Sequence, residues 1–332
     1  IGVAVPLAGR MAPVGLAMQR AVEKAVAEAN AAGGVFGEPV VVSVEDDGCA
    51  SATAEGAAGR LIAEKPALVI GHPCSNAAAA AASLYGTAGV LLIAVGPRHP
   101  DVTRANGTRA VPTLRLAGRD DRQGDAAAAW LLARAPGRRT AIVHDRTRYA
   151  REIADGAAAA LEQADAAPVA RLAIAAGRPD YEDVAVALRD SGAEAVLFAG
   201  YPDEAAIVLA GLERIGLAIP VLGTDALATP AFAETAARSK IRVDVLVSAG
   251  GNASGTDEAR AGAEARGAFE VWMEAARRAG SVDALRLSDV LRGAKLATRT
   301  LGEIRFDANG DLEAQAFDAA SARSGRWVIE GK

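Results

Sequence analysis

The sequence predicts an α/β protein built as two doubly wound lobes with a central cleft, and three observations carry that expectation. Short apolar runs rich in β-branched residues alternate with alanine-rich amphipathic segments. The alternation fills roughly the first hundred residues and restarts near residue 139. A length of 332 residues accommodates two such arrays.

In the first array IGVAVPLAG (1–9) reads as strand, and LAMQRAVEKAVAEANAAGG (16–34) as a helix ended by its double glycine. EPVVVSVEDD (38–47) is strand, SATAEGAAGRLIAEK (51–65) helix and PALVIG (66–71) a buried strand. Ser75 and Asn76 then open an alanine-run helix, and VLLIAVG (90–96) is strand again. The second array runs RTAIVHD (139–145), a helix from Tyr149, PVARLAIAA, the helix YEDVAVALRDSG and the strand AEAVLFAGY (193–201). PDEAAIVLAGLERIG (helix) and IPVLGTDAL (219–227) complete it. Residues 257–300 read as largely helical, and a strand-like tail (EIRFD, AQAFDAASAR, RWVIE) closes the chain. Strand–helix repetition with short loops implies parallel sheets covered by helices on both faces.

Composition narrows the function classes. About half the residues are apolar (51%), which supplies a large core. The net charge of -5 comes without basic blocks, which argues against a nucleic-acid surface. No apolar run approaches the roughly 18 residues that span a bilayer. A chain that opens on IGVAVPLAG without Met is expected to have lost a signal peptide, or else to have been trimmed. Two cysteines, Cys49 and Cys74, fit either one disulfide or two buried thiols. With three scattered histidines (His72, His99, His144) they make no metal-site spacing, and neither metal nor cofactor is expected.

In parallel sheets ligands bind beyond the carboxyl ends of the strands. That rule selects Leu7–Pro13, Asp46–Cys49, His72–Asn76, Gly96–Pro100, Asp145–Tyr149, Gly200–Asp203 and Gly223–Asp225. Catalytic signatures are missing: LAGRMAPVG does not match the dinucleotide glycine pattern, and neither a phosphate-binding P-loop nor a nucleophile elbow occurs. His144 beside Asp145 is either a general base or a buried or capping histidine. The acid pairs Asp46–Asp47 and Asp120–Asp121 sit in turns, where Asp commonly bonds local backbone. No enzymatic activity is expected. Ser75 either caps its helix or, at a helix N-terminus, helps hold an anion.

The ordered series EDDGCAS, VIGHPCSN, LLIAVGPRHPDVT, AIVHDRTRY, FAGYPDEAA and VLGTD, with NAAGGVFG and GRDDRQG (118–124), resembles the leucine/isoleucine/valine-binding protein family. These are type I periplasmic solute-binding proteins of ABC transporters. The resemblance spans most of the chain and implies two Rossmann-like lobes: residues 1–118 with 249–313, and 119–248 with 314–332, joined by three hinge crossovers. It implies a disulfide between Cys49 and Cys74 and an oxidising, periplasmic compartment. It also implies an amino-acid ligand bound by hinge closure, permease subunits as partners and a monomer.

By the same resemblance Ser75, with Asn76 beside it, meets the ligand carboxylate, and Gly96 makes a backbone contact there. Tyr149 and Tyr201 line the cleft from the second lobe, and Asp225 pairs with the ligand ammonium. Two departures bear on the ligand. Arg98 stands where the family often has Ser or Thr, so it either grips the α-carboxylate, grips a second acidic group or turns to solvent. The shorter first loop puts Val14, not an aromatic residue, near the pocket wall. The alternatives are therefore a non-amino-acid carboxylate (aromatic or dicarboxylic), an amide or urea, or a ligand-sensing receptor on the same scaffold.

Overall fold

The computed structural model describes residues 1–104, 111–248, 257–313 and 317–329. The chain divides into two units, Ile1–Arg119 with Gly255–Gln315, and Asp120–Ser254 with Ala316–Lys332. The second and third crossovers expected from the sequence, near 248–249 and 313–314, fall at segments outside the described residues.

The first unit begins as alternating strand and helix: β1 (Gly2–Val5), α1 (Ala12–Ala31), β2 (Ser43–Asp46), α2 (Ser51–Ala63), β3 (Val69–Gly71), α3 (Ser75–Ala88), β4 (Leu92–Ala94), α4 (Asp101–Arg104) and β5 (Thr113–Arg115). These strands form one parallel sheet in the order β2-β1-β3-β4-β5. On one face Met18, Val22 and Val26 of α1 meet Phe269 and Trp272, which come from far along the chain. On the other face Ala54, Ala58, Ala77 and Ala81 pack against Ala4 and Leu92. Small side chains let α2 and α3 lie close to the sheet, so the alanine runs are packing surface as well as helix formers. Strand 38–47 is shorter than its apolar run, because the Asn30 side chain exchanges two hydrogen bonds with the backbone of Val40.

The second unit contains α5 (Gln123–Arg134), β6 (Thr140–His144), α6 (Arg148–Gln163), β7 (Ala170–Ala173), α7 (Glu182–Ser191), β8 (Ala195–Ala199), α8 (Pro202–Arg214), β9 (Val221–Gly223), α9 (Pro230–Arg238) and β10 (Val243–Ser248). Strands β6 to β10 pair in parallel. The chain then returns to the first unit as α10 (Asp257–Ala279), α11 (Ala284–Leu291) and the hairpin β11 (Leu296–Thr298) and β12 (Gly302–Ile304). The reading of 257–300 as largely helical holds for α10 and α11 and fails only after them. Helix ends at Leu291, and Leu296 is buried in a strand whose pairing overrides local propensity. The tail forms β13 (Phe317–Arg323) and β14 (Arg326–Ile329), which extend the second sheet antiparallel, in the order β14-β13-β10-β9-β8-β6-β7.

A buried ion pair stitches the returning segment to the first sheet. Arg115 of β5 is fully buried and donates to Asp311 Oδ1 from Nε (2.8 Å) and Nη2 (2.5 Å). Its Nη1 donates to the His99 carbonyl at 2.6 Å, and Arg119 reaches Asp311 Oδ2 at 3.0 Å. Removing one partner leaves the other charge buried and uncompensated. Asp311→Ala is therefore expected to cost about 3–5 kcal/mol of stability. Urea unfolding of the variant checks it, and a change within experimental error would refute the assignment.

Candidate functional site

All seven loops selected by the carboxyl-end rule follow strands of the two parallel sheets. In the first unit the loops after β2 and β3 are joined by the Cys49–Cys74 disulfide, with Cα atoms 5.3 Å apart. The acid pair there holds backbone: Asp46 Oδ1 accepts from the Leu7 and Gly48 amides (3.1 and 2.9 Å), and Asp47 Oδ1 from the Cys49 amide (2.9 Å). Beneath the disulfide lies a buried trio that sequence reasoning missed. The other Asp47 oxygen bonds His72 Nδ1 at 3.0 Å, and His72 Nε2 meets the Tyr85 hydroxyl at 3.3 Å. Asp47 and His72 are wholly buried. A carboxylate only accepts, so Nδ1 carries the hydrogen. Burial, and then the Asp47 charge, push the Tyr85 phenol up. The only signal was a lone histidine between a strand and a proline.

Ser75 is not the cap of its helix. The cap position falls on Cys74, in extended conformation and without a side-chain cap bond, and Ser75 is the first helical residue. Its hydroxyl oxygen accepts from the amides of Arg98 (3.1 Å) and His99 (3.2 Å). A hydroxyl has two acceptor lone pairs and one hydrogen. With both lone pairs engaged, Ser75 can offer a ligand only a donor. Asn76 is exposed and turned back on the disulfide loop, its amide donating to the Cys49 carbonyl at 3.4 Å. Gly96 opens the loop after β4 with φ of 98°, and a Cβ there would press to 3.2 Å from Pro73 Cα, so the loop requires glycine. Arg98 is part-buried, and its charge acts on Glu264 of α10. Burial lifts the Glu264 carboxyl above the usual range, while Arg260 and then Arg98 oppose that rise. Val14 packs against the first unit's core.

In the second unit Tyr149, Tyr201 and Asp225 come together. Tyr149 Oη donates to Asp225 Oδ1 and accepts from the Ala226 amide at 3.3 Å. The rings of Tyr149 and Tyr201 lie 6.1 Å apart, and Tyr201 is 46% exposed at the start of α8. Gln123, unassigned by the sequence, donates to Asp225 Oδ1 at 2.8 Å and accepts from the Asp225 amide at 3.1 Å. His144 Nδ1 accepts from the Arg146 amide at 3.3 Å, which makes it a turn histidine, and burial lowers its pKa. Asp145 likewise serves its own loop, accepting from the Thr147 amide and hydroxyl (3.0 and 2.7 Å). Among the described residues no group of three metal-ligating side chains assembles.

Two tests follow from this geometry. Replacing both Cys49 and Cys74 with Ser is expected to lower stability by about 3 kcal/mol, the chain-entropy value for a loop of this size. Denaturant titration reads the loss, and an unchanged midpoint would contradict it. Burial, and then Asp225, hold the Tyr149 phenol well above its ordinary value. A raised folded value gives stability that is complete below about pH 10 and is lost as pH climbs through the folded value. Alkaline unfolding should accordingly be less steep in Tyr149→Phe than in the unaltered protein.

Comparison with known proteins agrees with the fold. The sequence matches the family model described as "Periplasmic binding protein" over residues 1–325. An amino acid binding protein of Pseudomonas aeruginosa is 28% identical over 333 residues, covering 96% of this chain and 88% of the relative. The Leu/Ile/Val-binding protein BraC3 of Rhizobium johnstonii is 26% identical over 344 residues, covering 99% and 92%. An ABC transporter substrate-binding protein from Desulfitobacterium hafniense, solved in complex with Leu, superposes with a TM-score of 0.73 at 19% identity, covering 99% and 98%. A match over residues 1–325, nearly the whole of both units, settles the class: this chain belongs to the periplasmic binding protein family, whose members bind solutes.

Proposed function

We propose that this chain is the solute-binding component of an ABC importer and that it takes a branched-chain amino acid. The carrying observation is a pair of opposite recognition groups. Ser75 presents a hydroxyl donor at the N-terminal turn of α3, and Asp225 presents a carboxylate fixed by Tyr149 and Gln123. A donor set suits a carboxylate and a carboxylate suits an ammonium, the two ends of every α-amino acid. The names of the relatives above support the branched-chain class.

In this reading Ser75 and Gly96 meet the ligand carboxylate, Tyr149 and Tyr201 cover its body, and Asp225 takes the amine. The ligand favours a closed arrangement of the lobes through hinge crossovers near 118–119, 248–249 and 313–314. The closed form is what permease subunits receive. The protein acts as a monomer outside the cytoplasmic membrane after removal of a signal peptide. Among the described residues no helix is long and apolar enough to cross a membrane.

A thermal-shift screen of the twenty amino acids, dicarboxylates, short amides and aromatic acids tests the ligand class. A ligand at a hundredfold excess over its Kd adds about 2.7 kcal/mol to stability. Shifts are expected with Leu, Ile and Val. Asp225→Asn should weaken their binding by about 2–5 kcal/mol, the range for breaking a desolvated charge pair. Shifts only with acids that lack an amine, untouched by that substitution, would overturn the amino-acid reading.

A further inference from the structure

We propose that Gln123 is the positioning residue for amine recognition, holding the Asp225 carboxylate in place without itself meeting the ligand. This rests on the reading that Asp225 takes the ligand's amine. Gln123 opens α5 and is wholly buried, so it has no surface to offer a solute. Its side chain makes two bonds to Asp225, Nε2 donating to Oδ1 at 2.8 Å and Oε1 accepting from the amide at 3.1 Å, besides a longer Nε2 bond to Asp120 Oδ1 at 3.4 Å. The amide orientation is fixed by chemistry, since a carboxylate can only accept and a backbone N–H can only donate. The two bonds close a ring that holds both the backbone and the carboxylate of Asp225.

The ring is anchored from behind. At Gly124 a Cβ would come within 2.6 Å of the Ala157 nitrogen, so glycine lets the first turn of α5 seat directly against α6. Tyr149, on that same α6, adds its hydroxyl to the oxygen that Gln123 binds. Two donors from two packed helices therefore converge on Oδ1. A carboxylate on a short turn has rotamers to lose when an ammonium binds. Here that freedom is removed before the ligand arrives. No smaller or like-charged side chain reproduces the arrangement: Asn is one methylene short, and Glu places a second carboxyl against the first.

The test is a double-mutant cycle on the full chain, titrated calorimetrically with L-leucine. Gln123→Met, which keeps the length and removes both polar atoms, is expected to weaken L-leucine binding about tenfold. Combined with Asp225→Asn it should cause no loss beyond that of Asp225→Asn alone, because Gln123 acts through Asp225. An indifferent Gln123→Met beside a damaged Asp225→Asn would overturn the positioning role and leave the amine assignment standing. Additive losses would overturn it too, since a merely structural residue does not depend on Asp225. An Asp225→Asn variant that binds like the unaltered protein, or no L-leucine binding at all, would overturn the ligand reading and this inference together. If Gln123→Met does not fold, Gln123→Asn, which keeps a polar amide but is one methylene short of both bonds, carries the same cycle.

Discussion

A parallel sheet must be re-entered from the same end for every strand, and this directional constraint organises both units. The loops that follow the parallel strands β1 to β5 therefore collect on one edge of the first sheet, and those that follow β6 to β10 on one edge of the second. Ser75, Gly96 and Arg98 share one such edge, and Tyr149, Tyr201 and Asp225 share the other. The two edges differ in chemistry. The first presents a hydroxyl donor at a helix start with a guanidinium nearby, and the second presents a carboxylate flanked by phenols.

The units immobilise their loops by different means. In the first, a disulfide joins two loops, and the Asp47–His72 bond supports them from below. Cys49 and His72 both adopt positive φ, 56° and 54°, a conformation that costs a side-chain-bearing residue energy and persists where neighbouring bonds over-determine it. In the second unit the work is done by side chains alone, through Gln123, Tyr149 and the turn bonds of Asp145. Covalent and polar restraint serve one physical end, which is to order a loop before a solute reaches it.

Much of the architecture was legible in the sequence, because apolar runs and alanine-rich helices alternate with little ambiguity. The errors have identifiable sources. LSDVLRGAKLAT has helical periodicity, yet Leu296 belongs to a hairpin that only tertiary pairing selects. Ser75 had the composition of a cap, but the bonding of its oxygen depends on residues 98 and 99, brought near by the sheet. Gln123 could not be recognised from spacing, since its partner lies 102 residues away. The carboxyl-end rule selected the loops that hold Tyr149, Tyr201 and Asp225, while their individual roles were expected only from the family resemblance.

The first unit is assembled from two stretches far apart in the chain, 1–119 and 255–315, and this imposes an order on its folding. Met18, Val22 and Val26 find their partners in Phe269 and Trp272, and Arg115 finds its counter-charge in Asp311. No nascent chain shorter than about those positions can complete this core, however long it waits. The contacts have high sequence separation, which slows closure and keeps apolar surface uncovered during synthesis. Residues 120–248 carry most of the second unit in one continuous stretch and are available earlier. The amino-terminal third therefore remains unfinished until late in synthesis, after the middle of the chain has the partners it needs.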